Sequence, residues 1–518
     1  MEKKKAMNKN ITLSIFILLF AFCAYAQQTT NTLIVNADSG KATISKYIYG
    51  HFTEHLGRCI YGGIWVGKNS PIPNTRGIRN DVLDALKAIR VPVVRWPGGC
   101  FADTYHWMDG IGPAEKRPKF VNTNWGGVVE DNSFGTNEFL DFCELLGAEP
   151  YLSVNVGSGT IKEARDWVEY VNSNNDSPMA NLRRLNGRRE PWKVKFWGIG
   201  NETWGCGGTM TPEYYSNVYK QFSTFCPGEF KILSGGVSDD LNWTETIMKA
   251  TSKNQNLIQG YSYHYYTICH DWTKKGAAVR FNESEWFSTM QKTSVVDENL
   301  NQHAAIMDRY DPEKIIALIA DEWGNWFDPE PGDNPAFLYQ QNTLRDAVTA
   351  GLYLNIFNNH CERVKMSNIA QMVNVLQSVI LTKDNTIVLT PTYYVFKMYA
   401  VHQDATMLPF KLKCEDYTNG SDKINSLSVS ASKDKNGKIH ISITNLDPAK
   451  EKKLSCEVHG SSANKVTGEI ITAKNMNAYN DFGKPEEVTI KPFSGAQLQK
   501  GILNVQLPAK SVVMLELD

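Results

Sequence analysis

Short apolar runs bounded by turn residues recur along most of the chain, at 47–50, 91–95, 150–154, 194–199, 230–233, 257–263, 315–320 and 364–366. Continuous apolar runs of this length predict strands buried on both faces. Between them lie stretches with apolar positions at helical spacing. They include 81–89 (Val82, Leu83, Leu86, Ile89), 136–146 and 340–357. Strands alternating with helices predict an α/β fold with a parallel sheet, and eight of them fit a closed (β/α)8 TIM barrel. An open doubly wound sheet is the rival. It loses ground because no Gly-rich phosphate loop follows the first strand.

Beyond residue 407 the pattern changes. Segments 426–432, 438–443, 453–458, 466–472, 487–490 and 511–517 alternate or are β-rich. Turn signals such as Lys435-Asn436-Gly437 stand between them. This predicts an all-β sandwich of about 110 residues. It carries no carboxylate constellation and reads as structural, with carbohydrate binding as the alternative. One or two further strands are expected within 32–45. The expected division is 1–26, 27–45, a barrel over 46–406 and a sandwich over 407–518.

The chain has 518 residues and a formal net charge of -1, so charge gives no reason to expect nucleic acid or an anionic membrane as partner. Lys3, Lys4, Lys5 and Lys9 precede an apolar stretch over 11–23, and Ala24-Tyr25-Ala26 supplies an A-x-A site. These 26 residues read as a signal peptide cleaved near Ala26, predicting a periplasmic or secreted protein. The nine cysteines that follow show no C-x-x-C metal spacing and do not read as a disulfide framework. A pair involving Cys206 stays open. No cofactor or metal is called for.

Two stretches carry the chemistry. In 193–206, KVKFWGIGNETWGC, an apolar run stops at Gly200-Asn201-Glu202; in 314–327, KIIALIADEWGNWF, another stops at Asp321-Glu322. A lone strand-end Glu is equally well a helix cap. Two such Glu, each flanked by Trp and Gly, instead suggest paired carboxylates facing one cleft, the working parts of most glycosidases. Glu202 and Glu322 are 120 positions apart, about three βα units of roughly 44 residues. They therefore belong at the ends of strands four and seven, on the face where such barrels hold their active sites.

His51-Phe52-Thr53-Glu54-His55 matches the H-x-x-E-H zinc pattern. That pattern needs a helix, and here a strand end running into a loop is expected. Glu54, Cys100, Asn155, His264 and Tyr266 are the other polar groups expected at strand ends, and they suit a sugar pocket better.

The segments GHFTEHLGRCIYGGIWVG (50–67), RWPGGCFADTYHWMDGIGP (95–113), FGTNEF (134–139), WGIGNETWG (197–205), ADEWGNWF (320–327) and NIAQMVNVLQ (368–377) closely resemble glycoside hydrolase family 51. That family consists mainly of retaining α-L-arabinofuranosidases. The resemblance runs from about residue 33 to the C-terminus. It implies a (β/α)8 barrel with a C-terminal jelly-roll sandwich, into which the N-terminal strand packs, and a homo-oligomer, commonly a hexamer. It also implies Glu202 as acid/base, Glu322 as nucleophile and Asn201 as the partner of the sugar 2-hydroxyl. Glu54, Cys100, Trp125, His264, Tyr266, Trp326 and Gln371 fall on arabinose-pocket positions. Many relatives carry Asn where this chain has Cys100, and a thiol is the poorer hydrogen-bond partner.

The implied activity is exo-acting release of terminal α-L-arabinofuranosyl residues from arabinan, arabinoxylan or arabino-oligosaccharides by double displacement. A related retaining barrel enzyme, an endoglucanase or β-xylosidase, would use the same two Glu. A non-catalytic sugar-binding protein is the remaining alternative.

Overall fold

The computed structural model describes residues 31–254 and 256–518, so the segment read as an export signal lies outside the described residues. Eight parallel strands close into a barrel. In chain order they are Gly50–Phe52, Val93–Trp96, Glu149–Val154, Phe196–Ile199, Phe230–Leu233, Gly260–Thr267, Ala317–Asn325 and Val364–Ile369. Seven of these fall on the expected runs. The first is displaced: Lys46–Tyr49 forms a turn of 3-10 helix, and the strand begins at Gly50. The Ser45 hydroxyl caps that turn, accepting at 3.3 Å from the N–H of Tyr47. The Tyr47 ring meets Phe196 edge-on at 5.1 Å, joining Val93, Tyr151, Phe196, Ile232, Ile319 and Met366 in the cluster that fills the barrel interior.

Alternation along the second strand shows how the barrel sorts its side chains. Val93 joins that interior cluster, while Val94 and Trp96 pack into the main core. Trp96 stacks on Phe139 of helix Thr136–Leu146 at 4.9 Å. Arg95, two positions from Val93, therefore shares its inward face. A guanidinium inside a barrel needs partners, and these are the carboxylates described below.

Two further sheets form the β sandwich. One runs Phe410–Lys413, Asn31–Asn36, Lys452–His459, Ile502–Leu507 and Ala496–Gln499; the other is centred on Leu427–Lys433, Ile439–Asn445 and Ser511–Leu517. Asn31–Asn36 pairs antiparallel with Phe410–Lys413 and parallel with Lys452–His459. Its Leu33 and Val35 enter the core shared by the two sheets.

Helix Leu344–Asn359 follows the seventh barrel strand and is buried on every side from Leu344 to Asn358. Its apolar residues accordingly run all round rather than in one stripe. Asn325 of the seventh strand donates to Asp346 at 2.8 Å, and Asn355 donates to Ser428 and Thr444 of the sandwich at 3.2 and 3.4 Å.

Candidate active site

Glu202 and Glu322 meet at one mouth of the barrel because of two local departures from regular backbone. After the fourth strand, Gly200 has φ +90° and Glu202 itself φ +38°, a left-handed conformation that is strained for a non-glycine residue. The turn is closed by Gly205 and Gly207, whose N–H groups donate to the Glu202 carbonyl at 2.7 and 3.1 Å. In the seventh strand the register with the sixth passes from Tyr263↔Ala320 to His264↔Glu322, leaving Asp321 as an extra residue. Strict alternation would send Asp321 and Glu322 to opposite faces. The bulge lets both point inward.

Inside, Arg95 Nη1 donates to Glu322 Oε1 at 2.7 Å and Tyr266 Oη donates to Glu322 Oε2 at 2.7 Å. Arg95 Nη2 donates to Asn201 Oδ1 at 2.6 Å, and Arg95 Nε lies 3.6 Å from Asp321 Oδ2. Asp321 also accepts from Tyr151 Oη at 2.7 Å and from Asn368 Nδ2 at 3.0 Å. His264 Nδ1 lies 3.0 Å from Glu202 Oε1 and 3.7 Å from Glu322 Oε1. One oxygen of each Glu and a nitrogen of His264 fall within 4.8 Å of one another. That closeness matches the separation of about 5–5.5 Å in retaining glycosidases, not the 6.5–9.5 Å of inverting ones.

The charges divide unevenly. Burial raises the Glu322 pKa, but His264, Arg95 and the hydrogen bonds from Arg95 and Tyr266 outweigh it and hold the carboxyl below its usual range. His264 is lowered by burial and raised more strongly by the two glutamates, with a net upward shift. Glu54 moves the other way, to about 7, through burial first and repulsion from Glu322 second. It accepts from Phe101 N–H at 3.0 Å, Trp125 Nε1 at 2.9 Å and Gln371 Nε2 at 3.0 Å.

These groups open on a cleft of about 650 Å³. Glu54, Cys100, Trp125, Glu202, His264, Tyr266, Glu322, Trp326 and Gln371 all line it, whereas Asn201 lies behind the wall, buried on Arg95. Trp125 reaches the cleft from the hairpin of Phe120–Val121 and Val129–Glu130. Asn155 is drawn aside, donating to the Tyr105 carbonyl at 3.1 Å and to Ser158 at 3.0 Å.

One expectation needs correction. Cys100 does not present a free thiol: it is disulfide-bonded to Cys206 across 106 positions, because the loops after the second and fourth strands converge at the barrel mouth. The cysteines therefore include one pair that their spacing did not reveal. His51 and His55 stand as expected, at a strand end running into a loop and not on a helix. His51 lies in the first strand against Phe396. His55 sits between Trp96 Nε1 at 3.1 Å and Glu130 Oε2 at 3.3 Å.

Sequence reasoning missed Arg95, Asp321, Tyr151 and the aromatic rim residues Trp204 and Trp272. Arg95 carried a usable signal. A charge within the apolar run Val93-Val94-Arg95-Trp96 is costly to bury unless paired.

Two family models match the chain: "Alpha-L-arabinofuranosidase 1 domain" over residues 85–283 and "Alpha-L-arabinofuranosidase C-terminal domain" over 321–511. An intracellular exo-α-L-arabinofuranosidase of Bacteroides ovatus is 54% identical over 506 residues, covering 96% of this chain and 98% of that protein. Among solved structures, the GH51 arabinofuranosidase of Xanthomonas axonopodis pv. citri superposes with a TM-score of 0.93 at 48% identity, covering 95% of this chain and 100% of that one. An α-L-arabinofuranosidase of Thermotoga maritima in complex with arabinose gives 0.81 at 32% identity, covering 94% and 99%. The word "intracellular" in the Bacteroides name overturns the expected export, and the signal-peptide and secreted readings of residues 1–26 are withdrawn. A short basic segment before an apolar run is a local pattern only, whereas this similarity spans nearly the whole chain.

Proposed function

This chain belongs to the α-L-arabinofuranosidases of glycoside hydrolase family 51, and on that premise we propose how its two glutamates share the release of terminal arabinofuranosyl residues. It is an exo-α-L-arabinofuranosidase acting on an arabinose-containing substrate. Glu322 is the nucleophile and Glu202 the acid/base. The observation that carries the assignment is the asymmetry of their partners. Arg95 and Tyr266 grip both oxygens of Glu322, whereas Glu202 stands on an exposed turn with His264 as its ring partner. The Glu322 side chain is 7% exposed and that of Glu202 20%. An anion is thus fixed at one position, and a group free to exchange protons with a leaving oxygen or water stands at the other.

Glu322 attacks the anomeric carbon while Glu202 protonates the departing oxygen. Glu202 then deprotonates the water that releases the sugar with retained configuration. Glu54, oriented by three donors, accepts from arabinose hydroxyls. Asn201, its Oδ1 held by Arg95 and its amide on Cys206 Sγ at 3.8 Å, is the proposed partner of the 2-hydroxyl from just behind the cleft wall, and Gln371, Trp125, Trp326, His264 and Tyr266 complete the pocket. The Cys100–Cys206 disulfide forms one wall rather than a hydrogen-bonding thiol.

Arabinan, arabinoxylan and arabino-oligosaccharides are the proposed sources, and a homo-oligomer, with a hexamer as the first candidate, the proposed assembly. We also take 46–406 as the catalytic unit and 407–518, with the strand near Leu33, as the sandwich. Following the anomer first released from an aryl α-L-arabinofuranoside by proton NMR tests the mechanism. Initial appearance of the α-anomer is expected, and initial β-anomer would overturn it.

A further inference from the structure

The Cys100–Cys206 disulfide lies against the proposed acid/base, with Cys206 Sγ 3.7 Å from Glu202 Oε2. Cys100 is half-buried in the cleft wall and Cys206 is exposed on the turn that follows Glu202. The other cysteines among the described residues are free; all are buried except Cys414, which is half-buried. The two sulfurs and a Glu202 oxygen all fall within 4.8 Å of one another.

We propose that reduction of this disulfide converts the rim of the active site into a binding site for a thiophilic divalent cation such as Zn²⁺, held by Cys100, Cys206 and Glu202. A dithiol reductant supplies two electrons and two protons and is itself oxidised to a disulfide. The Cys100–Cys206 S–S bond breaks and two thiols form. Binding of the cation then expels both thiol protons, since the thiolate is the ligand.

The distances suit a tetrahedral ion. With Zn–S about 2.3 Å and Zn–O about 2.0–2.2 Å, a tetrahedral site separates its sulfur and oxygen donors by about 3.6 Å. The Cys206 sulfur and the Glu202 oxygen already stand 3.7 Å apart. Two sulfurs on such an ion stand about 3.8 Å apart, a separation two thiols reach by small side-chain rotations once the covalent bond is gone. Water from the open cleft fills the fourth position. Two thiolates favour Zn²⁺ over Mg²⁺ or Ca²⁺, which prefer oxygen.

Binding at the site does not depend on what Glu202 does in catalysis, but its effect on activity rests on the acid/base assignment above. A cation on Glu202 removes the proton donor, so activity toward poor leaving groups falls by about 10²-fold or more.

The test reduces the full-length enzyme with a phosphine, which does not compete as a thiol ligand, removes the phosphine under argon and titrates Co²⁺, then Zn²⁺. A near-ultraviolet sulfur-to-cobalt charge-transfer band is expected in the reduced enzyme, bleached by Zn²⁺. It is expected to be absent from the unreduced enzyme and from the Cys206→Ser variant. Zn²⁺ inhibition should appear only after reduction and reverse with EDTA. No band after reduction, or an equal band in Cys206→Ser, overturns the site. A band with undiminished activity removes Glu202 either as ligand or as acid/base, and Glu202→Gln, which weakens Co²⁺ binding only if Glu202 is a ligand, decides between the site and the assignment.

Discussion

Arg95, on the second barrel strand, reaches across the interior to donate to Glu322 on the seventh at 2.7 Å. The same guanidinium fixes Asn201 beside the proposed acid/base, so one side chain sets the relative positions of both halves of the proposed catalytic pair. Arg95→Lys keeps the charge and loses the planar fork. We expect kcat/KM to fall by about 10²-fold or more. The acidic limb of its pH profile should move to higher pH, because Glu322 must be ionised for the proposed attack and would lose the Arg95 hydrogen bond that helps lower its pKa. An unshifted limb would separate Arg95 from the charge on Glu322.

Removing the proposed nucleophile gives a second outcome. Glu322→Ala should be inactive, and azide entering the space of the lost carboxylate should restore turnover with inverted configuration. Full activity in this variant would exclude Glu322 as nucleophile. A product azide of retained configuration would do the same.

Glu202→Ala should discriminate between leaving groups. Loss of a proton donor costs about 10²–10⁴-fold where the leaving oxygen needs protonation, and far less with a nitrophenyl aglycone. Equal losses on arabino-oligosaccharides and on the aryl glycoside would contradict general acid catalysis at this position.

Glu54 links pH to stability. Its folded pKa is raised from 4.5 to about 7. Its contribution is therefore fully present below about pH 4.5 and is lost as pH rises toward 7, amounting to about 3 kcal/mol across that window. Glu54→Gln removes this dependence. Between pH 5 and 8 the stability of the variant relative to the parent should rise, as read by chemical denaturation. Its kcat/KM should fall at every pH if Glu54 is the proposed acceptor for arabinose hydroxyls, because a glutamine accepts less well than a carboxylate. A parallel pH dependence in both proteins would show that Glu54 does not titrate in this range.

The barrel was legible because its strands are short apolar runs with turn residues between them, a signal that survives without neighbours. The two glutamates were legible for the same reason, since each ends or interrupts such a run. What escaped depends on contacts distant in sequence. Tyr47, apolar and β-prone, reads as a strand residue, whereas it packs on Phe196 in the barrel interior from a turn of 3-10 helix. Spacing alone could not pair Cys100 with Cys206, because it carries no connectivity. The bulge at Asp321 was equally hidden, since period-two reading assumes an unbroken ladder. Residues 1–26 are the opposite case, a local pattern that carries no information about the rest of the chain.

Helix Leu344–Asn359, enclosed between the barrel and the sandwich, makes those two layers mutually dependent. A polypeptide ended after residue 406 would present to water a helix with no face suited to it, immediately beneath the strand that bears Glu322. Such a fragment should be recovered as insoluble material rather than as a smaller working enzyme, and soluble, active fragment would show that the helix tolerates exposure.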